Sequence, residues 1–360
     1  MTKKIGVVTG GGDCPGLNAV IRAVAKAATQ QGWESIGILG GYEGLLEPRQ
    51  FRPLDYHAID GLLIRGGTIL GTANRGRFSA KVGHGETRQL PRELVDDTKR
   101  GMEALGISAL ISIGGDGSLS IAQQMYEQGI PVVGVPKTID NDLEGTLMTF
   151  GFDSAVACAT DALDRLHTTA ESHNRAMVLE VMGRYAGWIA LYAGVAGGAD
   201  VILIPEVPFS YDSVCAKIKA REAQGKKFTL IVVAEGAREA NADFVTSAGH
   251  EANREAHLGG VGAVVAAEVQ KRSGKETRNC VLGHLQRGGT PTTFDRALCS
   301  MFGAAAIELV AAGDFGKMVA FTGNQVGAVE LSRAVGRLKT VPPAGGLMRT
   351  ARALGICLGD

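Results

Sequence analysis

At 360 residues the chain is long enough for two cores of ordinary size and too short for three. Its 37 Lys and Arg side chains match its 37 Asp and Glu, which removes any global electrostatic argument for nucleic acid or an anionic membrane as partner, so an anion site must be local. With 45% hydrophobic residues but no uninterrupted apolar window of about 18, the chain reads as a soluble, cytoplasmic α/β protein without a membrane span.

Residues 5–9 predict a short apolar strand, Gly10-Gly11-Gly12-Asp13-Cys14-Pro15-Gly16 a turn, and 17–24 a helix. Strand, glycine loop and helix point unpaired backbone N–H groups and a helix dipole at a phosphate. Neither GxxxxGK[ST] nor GxGxxG is matched, so the turn alone fits a phosphate site or a plain strand-to-helix connection. The next strand, 35–39, again ends in glycines, with Tyr42 set either to lie against a base or to pack the loop. Residues 65–77 form a polar, glycine-rich loop whose arginines, Arg65, Arg75 and Arg77, are close enough in sequence to converge on a polyanion.

A third buried strand, 109–113, runs into Gly114-Gly115-Asp116-Gly117-Ser118. Its glycines permit close backbone approach, and Asp116 at the strand tip suits Mg²⁺ or the N-cap of the following helix. A fourth apolar run, 130–135, delivers Pro136-Lys137-Thr138-Ile139-Asp140-Asn141-Asp142 to a sheet edge, where ligand sites of open α/β folds gather. Such a cluster of charges needs a charged ligand or a metal. Repeated strand, loop and helix predict a parallel, doubly wound sheet.

A second series begins near Gly151. A helix over 154–169 leads to a strand, 176–181, bracketed by Arg175 and Arg184, an arrangement that suits anion binding. Strands at 200–206 and 228–235 each end in a carboxylate, and Glu235 is the stronger candidate because it opens onto Gly236. Residues 237–258 are small and polar. Arg278, His284 and Arg287 then lie along one short segment before the Gly288-Gly289 pair, a pattern that fits a phosphosugar. The six cysteines form no CxxC and no Cys/His metal spacing, so they read as reduced thiols. From Thr322 a short strand and helix follow without a chemical motif.

Gly11-Gly12-Asp13 with Pro15-Gly16, Gly114 to Ser118, Pro136 to Asp142, Glu180 to Tyr185 and Leu282 to Gly289 occur together and in order. In this the chain resembles the phosphofructokinase family, whose glycolytic members make fructose 1,6-bisphosphate from fructose 6-phosphate, over nearly its whole length to about residue 335. The resemblance implies two Rossmann-like, doubly wound, three-layer αβα domains with the active site in the cleft between them. Residues 1–151, with approximately 288–335, would hold the phosphoryl donor and Mg²⁺, residues 152–287 would hold fructose 6-phosphate, and 336–360 would pack across both as a tail.

On matching positions, the resemblance implies Asp140 as the base for the sugar 1-hydroxyl, supported by Thr138 and Asp142, with Thr138, Asp140 and Arg184 also binding the sugar. Arg184 and Lys137 would stand near the transferred group and Asp116 would carry Mg²⁺. Gly11, Tyr42, Arg75, Gly115, Gly117 and Ser118 would meet the donor, with Arg75 chosen over Arg77 as the bridging arginine. Fructose 6-phosphate would be held by Met182, Gly183, Glu235 and His284, and its phosphate by Arg175, Arg278 and Arg287. In family members the arginines matching Arg175 and Arg278 come from a neighbouring subunit, which implies a homodimer or homotetramer.

The donor is where the chain departs from the pattern. ATP-dependent bacterial members carry glycine where Lys137 stands, whereas pyrophosphate-dependent relatives carry lysine there and an aspartate in place of Gly117. An aspartate at Gly117 would put a side chain and a charge where the nucleotide α-phosphate must pass, so ATP is the expected donor and pyrophosphate the alternative. A non-catalytic phosphosugar-binding regulator on the same fold would have lost Asp116, Asp140 or Asp142, and all three are present.

Overall fold

The computed structural model describes residues 2–73, 76–78, 81–82, 86–87, 89–240 and 259–360. Arg75 and most of the polar stretch 237–258 therefore lie outside the described residues. In chain order the elements are β1 (Lys4–Thr9), α1 (Leu17–Gln30), β2 (Glu34–Ile38), β3 (Phe51–Pro53), β4 (Lys81–Val82), β5 (Glu86–Thr87), α2 (Arg92–Leu105), β6 (Ile107–Gly114), α3 (Asp116–Glu127) and β7 (Val132–Pro136). There follow α4 (Phe152–His173), β8 (Ala176–Val181), α5 (Trp188–Ala196), β9 (Val201–Leu203), α6 (Tyr211–Ala223), β10 (Thr229–Ala234), α7 (Val261–Ser273) and β11 (Thr277–Val281). The chain closes with α8 (Thr293–Ala312), β12 (Lys317–Phe321), β13 (Val326–Glu330), α9 (Leu331–Val335) and α10 (Gly346–Ala353). Among the described residues no helix is long and apolar enough to cross a membrane.

Two compact units result, one of residues 1–154 with 287–338, the other of 155–286 with 339–360. The last 22 residues group with the second unit, where Val201 bridges Cys357.

The first unit is built on a seven-stranded sheet ordered β13-β12-β7-β6-β1-β2-β3. Strands β1, β6 and β7 are apolar on both faces and almost wholly buried, as a sheet covered on two sides requires. Helix α1 buries Leu17, Val20, Ile21, Val24 and Ala28, one stripe at helical spacing, and packs on α8. The chain steps from β1 to β2 in one direction and from β6 to β7 in the other, so right-handed crossovers put α1 and α3 on opposite faces. The strand order reverses between β1 and β6, which opens a crevice at their carboxyl ends.

The sheet is not parallel throughout. Both edge strands, β3 and β13, run antiparallel to their neighbours and are only three and five residues long, short edges that discourage pairing with other chains. The second unit has a four-stranded sheet, β11-β8-β10-β9, with every pairing parallel.

Candidate active site

The glycine turn after β1, the start of α3 after β6 and the loop after β7 meet at the switch point of the first sheet. Together they line a pocket with Gly11, Gly12, Gly115, Asp116, Gly117, Ser118, Lys137, Thr138, Asp140, Asp142 and Arg287. Eight of these, Gly115 to Ser118 with Lys137, Thr138, Asp140 and Asp142, are the candidates of the third and fourth strand tips, and Gly11 is that of the first; they line one pocket. Gly115 is the N-cap of α3, so Asp116 is the first helical residue and not the cap. Gly117 N donates to Asp116 Oδ1 at 2.6 Å, and the positive end of the α3 dipole lies at the pocket, a ready site for phosphate oxygens.

Gly11 has φ of 79° and its absent Cβ would lie 3.0 Å from Lys137 Nζ, so only glycine keeps this turn beside the lysine. Lys137 is 3% exposed and donates from Nζ to Gly12 O at 2.5 Å, tying the β7 loop to the β1 turn. Burial lowers its proton affinity below that of an ordinary lysine. Nothing lies within 4 Å of a Cβ built at Gly117, so the space above the start of α3 is open. Thr72 adds a tie from the arginine-loop side, its hydroxyl donating to Gly11 O at 2.5 Å.

The carboxylate loop holds its shape through Asn141, which stands between the two aspartates with φ of 52°. Asparagine tolerates that left-handed conformation, and its buried side chain accepts from Thr149 N at 3.1 Å while Thr149 Oγ1 donates to Thr138 O at 2.7 Å. Thr138 Oγ1 in turn accepts from Asp140 N at 3.1 Å. Burial first, then the charges of Asp140 and Asp116, push the Asp142 carboxyl up to about 7.

Tyr42 is a correction. It does not line the pocket: it is 4% exposed, and its hydroxyl donates to Ser112 Oγ at 2.6 Å, which keeps the ring in the core. The aromatic side chain at the pocket wall is Phe78, against which the Tyr42 ring packs at 5.5 Å. Arg77 is held by Glu43 through its backbone and guanidinium. Arg287, expected among the phosphosugar contacts, lines this pocket and donates to Asp13 O at 3.2 Å.

In the second unit, Met182, Gly183 and Arg184 follow β8, Glu235 follows β10 and His284 follows β11, all at the carboxyl ends of neighbouring parallel strands. Glu235 N donates to Val181 O at 2.9 Å, Gly236 N to Gly183 O at 3.1 Å and Leu282 N to Glu180 O at 3.1 Å, so the three loops are stitched together. Glu180, which sequence reading passed over, buries its carboxylate under Gly260 N at 3.1 Å and Gly262 N at 2.7 Å and caps the start of α7.

Arg175 and Arg278 are not part of that group. Both lie at the amino ends of β8 and β11, where they share Glu276 at 2.9 and 2.6 Å. A six-residue strand separates Arg175 from Arg184, roughly 20 Å at about 3.3 Å per residue. Within one chain the two arginines flanking β8 therefore do not converge on one anion.

The phosphofructokinase family model matches residues 4–310. The chain is 53% identical over 361 residues to the ATP-dependent 6-phosphofructokinase of Chloroflexus aurantiacus, covering 99% of this chain and 98% of that protein. It is 51% identical over 342 residues to the pyrophosphate–fructose 6-phosphate 1-phosphotransferase of Amycolatopsis methanolica, covering 94% and 96%. Among solved structures, phosphofructokinase from Saccharomyces cerevisiae matches 98% of this chain with a TM-score of 0.79 at 31% identity, and this chain spans 47% of that one. The chain belongs to the phosphofructokinase family.

Proposed function

We propose that this protein transfers the terminal phosphoryl group of ATP to the 1-hydroxyl of fructose 6-phosphate, giving fructose 1,6-bisphosphate and ADP. The observation that carries the reading is the switch-point pocket, where Thr138, Asp140 and Asp142 face the start of α3 and the glycine turn, with open space at Gly117. Asp140 takes the hydroxyl proton as that oxygen attacks the terminal phosphorus, the bond to the bridging oxygen breaks, and ADP leaves with the electron pair. The Thr138 hydroxyl keeps the Asp140 backbone in place for this. Lys137, the α3 N–H groups and Arg287 balance charge as it moves from donor to acceptor.

The pocket's carboxylate oxygens are a hard donor set that suits Mg²⁺, with Asp116 at the donor side as the residue to hold it. When bound, the ion would neutralise donor phosphate oxygens. On the sugar side, Met182, Gly183, Arg184, Glu235 and His284 would grip fructose 6-phosphate. Arg175 and Arg278 would hold its phosphate in a neighbouring subunit's site, a reading supported by their place at the amino ends of β8 and β11, opposite the carboxyl end of β8 where Arg184 stands.

Pyrophosphate is the second reading, and Lys137 in the pocket is the observation that favours it. The base assignment is tested by Asp140→Asn, which should lower kcat by about 10²- to 10⁴-fold and leave the KM for fructose 6-phosphate nearly unchanged. Retention of most of the turnover would remove Asp140 from that role.

A further inference from the structure

We propose that Glu43 is a positioning residue that fixes Phe78 as the aromatic wall of the donor pocket and so favours a nucleotide over an inorganic donor. The inference rests on the donor reading above. Glu43 lies in the tight turn Gly41–Leu45 that follows β2, next to Tyr42. Its carboxylate receives three donors from one residue: Arg77 N at 2.5 Å and Arg77 Nε at 3.0 Å by hydrogen bonds, with a further guanidinium nitrogen at 3.0 Å. Gly76 lets this happen, since a Cβ there would sit 2.6 Å from Glu43 Oε1 and its φ is 127°. The backbone is thereby pulled onto the carboxylate one residue before Phe78.

The neighbouring residue completes the support. Tyr42 is pinned to β6 by its bond to Ser112 and packs its ring against Phe78, which in turn borders the pocket that contains Gly11, Asp116 and Gly117. Two successive side chains of one turn therefore hold two successive residues of the loop: Glu43 holds Arg77 and Tyr42 holds Phe78. An aromatic face adds contact area and stacking for a nucleoside and offers nothing to a bare pyrophosphate. The clamp also commits the Arg77 guanidinium to Glu43, which removes Arg77 as the simplest partner for donor phosphates.

The test is a steady-state comparison of wild type, Glu43→Gln, Phe78→Leu and the double variant, with ATP or pyrophosphate as donor and Mg²⁺ present. Glu43→Gln keeps an acceptor for Arg77 N but loses the ion pair. It should raise the KM for ATP about fivefold, as expected for a partly exposed arginine–carboxylate clamp. At saturating ATP its kcat and its KM for fructose 6-phosphate should stay as in wild type, and pyrophosphate kinetics should not change. Phe78→Leu should raise the KM for ATP as well, and the double variant should be no worse than the poorer single variant, because both act through one wall. Wild-type activity on ATP with an unchanged KM in Glu43→Gln, additive losses in the double variant, or an equal rise in KM for pyrophosphate would each overturn the proposal alone. A wild type that works with pyrophosphate and not with ATP would overturn the donor reading and this proposal with it.

Discussion

Replacing Gly117 with aspartate separates the two donors. Gly117 is the second residue of α3, in ordinary helical backbone, and no heavy atom lies within 4 Å of a Cβ built there. The substitution therefore costs nothing in packing. A carboxylate in the first turn of a helix gains about 0.3–1 kcal/mol from the dipole, and losing a helical glycine adds a similar amount. The Tm should hold or rise slightly. In the pocket the same side chain adds a negative charge beside the donor phosphates, next to Asp116 and Ser118. At about 4 Å and an effective dielectric of about 20, one unit of like charge costs roughly 4 kcal/mol, which sets a ceiling near a thousandfold on the loss. Screening by salt and by a bound cation reduces this, so kcat/KM for ATP should fall about 10²- to 10³-fold. Pyrophosphate does not reach past the transferred group and its leaving phosphate, and should lose about tenfold or less on the same charge argument. The assay couples fructose 1,6-bisphosphate formation to a spectrophotometric readout, with each donor supplied alone and a thermal melt run on the same preparation. Equal losses for both donors, or a loss accompanied by a lower Tm, would refute the steric and electrostatic reasoning.

Three further outcomes are expected. Asp295 is fully buried and accepts from Gly151 N, Ser154 N and Ser154 Oγ at 3.0, 2.9 and 2.6 Å, so Asp295→Asn replaces one acceptor oxygen with an NH2 donor that faces other donors and should cost about 2–4 kcal/mol, read as a lower Tm that Asp295→Glu does not reproduce in size. The raised proton affinity of Asp142 means the folded state holds its proton more tightly than the unfolded chain, so its contribution to stability declines as pH rises from about 3.8 to about 7. Asp142→Asn should flatten the Tm profile across that window while lowering turnover at pH 8, and an unchanged slope would contradict the assignment. Mixing Asp140→Asn with Arg278→Ala and allowing subunits to exchange should restore activity that neither variant has alone, because some hybrid sites combine an intact Asp140 with a partner's intact Arg278; no recovery in a mixture shown to exchange would contradict a shared site.

Much of the first pocket was legible because it is local chemistry at strand tips. Buried β-branched runs ending in Gly10-Gly11-Gly12, Gly114-Gly115 and Pro136-Lys137 announced β1, β6 and β7, and parallel topology brings successive tips of that kind to one edge. What the residues did not announce depends on contacts distant in sequence or on backbone conformation. Arg287 reaches Asp13 from 274 residues away, and no periodicity encodes that approach. Phe78 meets Tyr42 and Arg77 meets Glu43 across more than 30 residues of sequence, whereas the Tyr42 hydroxyl on Ser112 turns that ring into the core, a pairing with no local signal. Asn141 carries a weak signal, since asparagine between two aspartates is a residue type that accepts the left-handed conformation. The antiparallel edges β3 and β13 escaped because three to five half-exposed residues have too little pattern to fix direction.

The measurement that bears most directly on the proposed activity is product formation by the wild-type protein with fructose 6-phosphate, Mg²⁺ and one donor at a time. ATP should support fructose 1,6-bisphosphate formation with release of one ADP per product. Turnover with pyrophosphate and none with ATP would contradict ATP as donor, and no product with either would contradict the kinase assignment itself.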